Sequence, residues 1–129
     1  MPYVHIVIGL ALVEFLFFAV GVTRARVRYK VPAPATTGNE MFERYFRVQM
    51  NTLEQLVVFI PSMLIFGQYL SPYLAAAIGA VFLIGRLVYQ FAYVKDPKKR
   101  EAGFLLSVIP TVILLIGAIF GAARAVLAS

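Results

Sequence analysis

Four long apolar segments dominate this chain and restrict what it can fold into. They cover about residues 3–23, 40–69, 72–94 and 97–127. The hydrophobic fraction is 61% and the mean hydropathy is +0.84, which lies outside the usual balance of soluble domains. As helices rising about 1.5 Å per residue, such segments can cross a bilayer core of about 30 Å. In lipid, only helices or closed barrels satisfy the hydrogen bonding of the backbone N–H and C=O groups, and four segments cannot close a barrel. The sequence therefore predicts an all-α, integral membrane four-helix bundle forming a single domain over residues 1–129.

Local start signals support the boundaries of three helices. Ser71 and Asp96 each precede a proline, and a polar N-cap followed by proline at the first helical position is a helix start. Thr37, with Glu40 three residues later, has the spacing of a capping box for the second helix. The connections are short and contain no repeat or low-complexity tract. We therefore expect one compact unit.

Basic residues cluster after the first and third apolar segments. The clusters are Arg24, Arg26, Arg28 and Lys30, and Lys95, Lys98, Lys99 and Arg100. The turn at 67–73 carries no charge, so the positive-inside rule predicts both basic loops in the cytoplasm and both termini on the opposite side. These runs are short and adjoin the membrane. They favour contact with anionic membrane lipid and do not indicate a nucleic-acid partner.

The first half of the second segment contains polar side chains that hydrocarbon does not tolerate. On a helix, Arg44, Arg47, Asn51 and Glu54 fall within about 80° of one another. Such a stripe must face protein, water or a polar ligand. Guanidinium groups match carboxylates, so the cationic excess of Arg44 and Arg47 indicates an anionic ligand.

A second polar face lies on the third segment. Arg86, Tyr89, Gln90 and Tyr93 share a face of about 100°. If the two faces meet, Arg86 or Arg47 could neutralise Glu54 in a purely structural ion pair. Tyr89 and Tyr93 could equally be interfacial aromatics.

Histidine and cysteine chemistry is not expected in this chain. It has no cysteine, which excludes disulfides and a cysteine nucleophile, and its one histidine, His5, lies far along the sequence from the polar stripe. A zinc site or a histidine base is therefore improbable, and we expect no metal.

The polar motifs resemble those of a known family. The matching residues are Thr36-Thr37-Gly38, the run 42–51 (Phe-Glu-Arg-Tyr-Phe-Arg-Val-Gln-Met-Asn) with Glu54, Arg86-Leu87-Val88-Tyr89, Tyr93 and Arg100. In order and spacing they resemble the MAPEG family, membrane-associated proteins in eicosanoid and glutathione metabolism. The resemblance covers nearly the whole chain.

The resemblance implies a homotrimer of four-helix protomers, with glutathione as co-substrate in a polar pocket between adjacent subunits near the cytoplasmic side. It implies that Arg100 is catalytic, that Arg44 and Arg86 are structural or accessory, and that glutathione is bound by Arg26, Arg47, Gln49, Asn51, Glu54, Tyr89 and Tyr93. The second substrate would be a hydrophobic electrophile or a lipid hydroperoxide that arrives through the membrane.

Two positions depart from the leukotriene-conjugating branch of that family. Gln55 stands where those enzymes have a tyrosine, and Val27 stands where they have a second arginine. The resemblance therefore favours a general glutathione transferase or peroxidase, as in microsomal-type and bacterial members.

Two alternative functions remain open from the sequence. Glu14, in the middle of the first segment, is placed as in a small four-helix exporter that exchanges protons for cationic drugs. Its simpler interpretation is a buried carboxyl group that is paired with an arginine or left protonated. The other alternative is a non-catalytic, lipid-binding member of the MAPEG family. Arg100 argues against that branch, because the branch lacks the activating arginine.

Overall fold

Four long helices account for almost all of the chain. The computed structural model describes residues 1–129. Helix α1 spans Pro2–Tyr29, α2 spans Glu40–Tyr69, α3 spans Pro72–Lys95 and α4 spans Glu101–Ala128, with a short 3-10 turn at Pro97–Lys99. All four helices are long and apolar enough to cross a membrane. The predicted all-α, four-helix, multi-pass membrane architecture is confirmed.

Two helix ends differ from the sequence expectation. Helix α1 continues to Tyr29, so the first basic residues lie on the helix and not in a loop. Charged side chains mark where a helix leaves hydrocarbon but do not stop it. Helix α4 begins at Glu101, since Asp96 caps only the 3-10 turn: its Oδ1 accepts a hydrogen bond from the Lys98 amide at 3.1 Å. Arg100 is therefore the N-cap residue of α4.

The capping box expected at the start of α2 is not formed. Asn39 is the N-cap residue, and its Oδ1 accepts a hydrogen bond from the Phe42 amide at 3.0 Å. Glu40 instead pairs with Arg44, one turn along the helix, at 2.8 Å. An asparagine directly before the first helical residue caps as well as a threonine does, so the helix still begins at Glu40.

Neighbouring helices run in alternating directions, with α1 and α3 parallel. An added Cβ on Gly79 of α3 would meet Val7 of α1, and Phe18 further along α1 packs with Tyr89 of α3. The centre is a buried apolar cluster from all four helices. Within it, Phe59 of α2 stacks on Phe82 of α3, with ring centroids 3.8 Å apart. The outer faces are apolar and exposed, as expected for contact with lipid.

A close approach of α3 and α4 brings the start of α4 onto α3. A Cβ on Gly103 would lie 2.4 Å from the Tyr89 backbone nitrogen, and one on Gly85 would lie 2.6 Å from the Leu106 carbonyl carbon. Only glycine permits backbones to pass at this distance. The two helices are therefore tightest where α4 begins.

Candidate active site

A polar cavity of about 730 Å³ opens at the basic end of the bundle, the end at which α1 and α3 finish and α2 and α4 begin. It lies between α2, the last turns of α3 and the start of α4. Its lining residues are Arg47, Asn51, Tyr89, Tyr93, Pro97, Lys98, Arg100, Glu101 and Phe104. The cavity is thus formed by three helices and the 3-10 turn.

Positive charge prevails in this cavity. Arg47, Lys98 and Arg100 contribute three cations, whereas Glu101 contributes the one carboxylate. Arg100 also lies at the N-terminus of α4, where unpaired backbone N–H groups add positive potential. The cavity is therefore suited to an anion.

A buried arginine holds Asn51 at the cavity wall. Arg86 is 0% exposed, and its Nη1 and Nη2 both donate to Oδ1 of Asn51 at 2.9 Å. Its guanidinium also lies over the ring of Tyr89, 4.4 Å from the centroid. Because Arg86 engages the Asn51 oxygen, the NH₂ group of Asn51 is the part left to meet a ligand.

Tyr89 and Tyr93, near the end of α3, form a stacked pair. Their rings are 5.4 Å apart with 19° between the planes, and Tyr89 packs against Phe18 and Val48 in a buried cluster. Both tyrosines line the cavity, which places their hydroxyl-bearing rings beside the cations. Their place in the cavity wall differs from that of interfacial aromatics, which would face the lipid headgroups.

Five residues predicted from the sequence come together in this cavity: Arg47, Asn51, Tyr89, Tyr93 and Arg100. Three others do not line it. Glu54 is exposed on the outer face of α2, and Gln49 is partly buried outside the cavity. Arg26 donates to the Ala35 carbonyl at 2.7 Å, which ties the α1–α2 loop to α1.

The ion pair considered for Glu54 is not formed. Arg86 bonds Asn51, and the one ion pair in the chain is between Arg44 and Glu40. The reason is helical geometry: Glu54 lies about 60° around α2 from Asn51, on the outward side. Arg44, for its part, donates to the Val94 and Lys95 carbonyls at 3.0 and 3.2 Å and so links the start of α2 to the end of α3.

Four lining residues are not among those predicted from the sequence: Pro97, Lys98, Glu101 and Phe104. Phe104 is four residues after Arg100, so helical spacing from Arg100 would identify it. Lys98 and Glu101 flank Arg100, but no residue pattern distinguishes them from the other charged residues of that turn. No group of three or more histidine, cysteine, aspartate or glutamate side chains is placed to hold a metal ion.

Comparison with known proteins agrees with these features. Residues 4–120 match the MAPEG family model. An uncharacterized protein of Synechocystis is 46% identical over 114 residues, covering 88% of this chain and 83% of that protein. Microsomal glutathione S-transferase 2 of Homo sapiens is 40% identical over 104 residues, covering 80% and 71% respectively. Leukotriene C4 synthase of Cavia porcellus is 34% identical over 119 residues, covering 86% and 79%.

These similarities extend over most of the chain and include all four membrane helices. They confirm the resemblance noted from the motifs around Arg47, Tyr89 and Arg100. The protein is a multi-pass integral membrane protein and a member of the MAPEG family.

Proposed function

We propose that this protein is a membrane-bound glutathione transferase, with glutathione peroxidase activity toward lipid hydroperoxides. The observation that carries the proposal is the single cavity that joins Arg47, Asn51, Tyr89, Tyr93 and Arg100. Two relatives named as a glutathione transferase and a leukotriene C4 synthase support a glutathione-dependent reaction.

Charge complementarity supports glutathione as the ligand. Glutathione carries two carboxylates and one ammonium group. In the proposed complex, Arg47 and the Asn51 amide donate to a carboxylate, and Lys98 adds positive charge at the cavity wall. A charged hydrogen bond of this kind contributes about 1.5–3 kcal/mol.

Arg100 is the proposed activating group. An ordinary thiol has a pKa of about 8.5, so only a few per cent is thiolate at neutral pH. Lowering that pKa by two units requires about 2.7 kcal/mol of preferential stabilisation of the anion. A guanidinium beside the sulfur, at the N-terminus of α4, can supply this amount. Arg100 accepts no proton in this scheme; it stabilises the thiolate that attacks the electrophile.

The second substrate is proposed to be hydrophobic and to come from the bilayer. Phe104, on the first turn of α4, is an apolar residue in a largely polar cavity, and its side chain is partly exposed. An electrophile packed against it would be near Arg100, four residues earlier. Gln55 and Val27 depart from the leukotriene-conjugating branch, so general hydrophobic electrophiles are the proposed substrates.

Assembly as a homotrimer is part of the proposal. The outer face of α2 exposes seven residues spaced alternately three and four apart, the spacing by which helices pack against copies of themselves: Arg47, Met50, Glu54, Val57, Pro61, Leu64 and Gln68. Glu54 would be costly if left in hydrocarbon. A neighbouring α2 would cover it and place Glu54 near the ammonium of glutathione, and Gln49 and Arg26 are further candidate contacts. We propose the cytoplasmic side for this site, from the basic loops.

The decisive experiment is substitution of Arg100. Purified protein should conjugate glutathione to an aryl halide and show thiolate absorbance near neutral pH. Arg100→Ala should retain glutathione binding by calorimetry and lose most of that absorbance. Lys99→Ala is the matched control, because Lys99 is an adjacent exposed cation that does not line the cavity. Normal thiolate formation in Arg100→Ala would remove Arg100 from its role.

The two alternatives make different predictions in the same preparations. A lipid-binding scaffold would show no conjugation, whereas an exporter would drive proton-coupled dye efflux that Glu14→Gln abolishes. Membership in a family with glutathione transferases favours the enzyme.

A further inference from the structure

A polar cluster lies behind the cavity, inside the bundle, and is not part of the cavity lining. It consists of Glu14 on α1 and Arg86 and Gln90 on α3. Arg86 and Gln90 are 0% and 7% exposed. A cationic side chain in this position is costly unless a partner compensates its charge.

The helix register places Glu14 beside Arg86. Val7 on α1 lies against Gly79 on α3, and Glu14 and Arg86 each follow seven residues later on these parallel helices. The next contact along the same pair of helices is Phe18 with Tyr89. Glu14 therefore lies at the level of Arg86 on the neighbouring helix, and no direct ion pair joins the two side chains.

Both charged side chains of the cluster keep a buried atom without a hydrogen bond. Arg86 uses both terminal nitrogens on Asn51, which leaves its Nε buried without a hydrogen bond. On Glu14, Oε1 is buried and also makes no hydrogen bond. Glu14 is the carboxylate that the helix register places at the level of Arg86, whereas Glu54 is exposed on α2.

We propose that Glu14 and Arg86 are positioning residues: Glu14 compensates the buried charge of Arg86, and Arg86 holds Asn51 so that its NH₂ group faces the cavity. The arrangement makes Asn51 a fixed donor to an anion. An amide that was free to rotate could also present its oxygen, which repels a carboxylate. That the anion is glutathione rests on the proposed function, whereas the orientation of Asn51 does not.

A spectroscopic test can follow Asn51 directly, because Asn39 and Asn51 are the only asparagines in the chain. Protein labelled with ¹⁵N on the asparagine side chain gives two pairs of NH₂ signals. Asn39 is the N-cap residue of α2, away from the polar cluster, and its signals serve as an internal reference. Glu14→Gln should shift the Asn51 pair and leave the Asn39 pair in place, and Glu14→Asp, which keeps the charge, should shift it less.

Matched variants separate this role from simple packing. Glu40→Gln, which removes an exposed carboxylate, should leave the Asn51 signals unchanged. Arg86→Lys keeps the charge but loses the two-pronged contact, and it should shift the Asn51 pair even if Glu14→Gln does not fold. The proposal would be overturned if the Asn51 signals did not move in Glu14→Gln. If Glu14→Gln does not fold, unmoved Asn51 signals in Arg86→Lys would overturn it instead.

Glutathione affinity supplies the second arm of the test. Glu14→Gln should weaken binding about tenfold by calorimetry, within the coupling found for members of one hydrogen-bond network. In an Asn51→Ala background the same substitution should have little further effect. Equal losses in both backgrounds would show that Glu14 does not act through Asn51. If the unaltered protein gives no heat with glutathione, the proposed function fails. The asparagine signals alone then decide whether Glu14 and Arg86 orient Asn51.

Discussion

The close approach of α4 to Tyr89 predicts that a single methyl group at Gly103 will disable the site. A Cβ at Gly103 would lie 2.4 Å from the Tyr89 nitrogen and 2.5 Å from its Cα, whereas ordinary contact begins at 3.4 Å. Both neighbours are helix backbone and cannot rotate away. The start of α4 must therefore move outward by about 1 Å, a change that costs about 1–3 kcal/mol as overpacking.

The displacement acts on catalysis because α4 carries Arg100 and Phe104, while α3 carries Tyr89 and Tyr93. Under the proposed function, moving the α4 residues by about 1 Å relative to the two tyrosines of the cavity should lower kcat/KM about 100-fold. The assay is glutathione conjugation to an aryl halide, read together with thiolate absorbance and thermal unfolding in detergent. We expect Gly103→Ala to remain folded with weakened thiolate formation.

Gly9→Ala is the matched control for this prediction. A Cβ at Gly9 meets nothing within 4 Å, so the substitution should leave activity unchanged and stabilise α1 by up to about 1 kcal/mol through helix propensity. Activity of Gly103→Ala within about twofold of the unaltered protein would refute the reasoning, since the backbones would then not be in contact at this point.

Three further substitutions test separate parts of the structure. Arg47→Ala should weaken glutathione binding about 10- to 100-fold by calorimetry, because one charged hydrogen bond is lost. Arg28→Ala is the control: Arg28 is an exposed arginine outside the cavity, so its loss should leave the affinity unchanged. Glu54→Ala should also weaken binding; unchanged affinity with impaired folding would return it to a structural role. Phe82→Ala removes half of the central stacked pair and should destabilise the protein by about 3–5 kcal/mol in thermal or denaturant unfolding, and a loss below 1 kcal/mol would contradict that packing.

Much of the fold follows from the sequence because hydropathy and capping are local properties. The starts of α2 and α3 are predicted at Glu40 and Pro72, where polar caps directly precede apolar helices. The end of α1 is not predicted, since arginines are good helix formers and mark only the membrane boundary. Asp96-Pro97 does start a helical segment, but that segment is the 3-10 turn and not α4. An aspartate followed by proline can cap either kind of helix, so the sequence does not distinguish them.

The candidate site is predictable as a set of residue types, but not as a set of contacts. Helical spacing places Asn51 and Glu54 on one stripe, and both can accept a hydrogen bond from an arginine. Which of them meets Arg86 depends on how α2 is rotated against α3, and that rotation is set by packing such as the Phe59–Phe82 stack. Periodicity within one helix contains no information about this angle.

The two hydrogen bonds from Arg44 to the last carbonyls of α3 bear on how substrates would reach the proposed site. They fasten the first turn of α2 to the segment that leads directly into Lys98 and Arg100. These hydrogen bonds resist an outward swing of that segment. Under the proposed function, a hydrophobic substrate would therefore enter sideways from the lipid, between helices that stay in place, and glutathione would enter from the aqueous end.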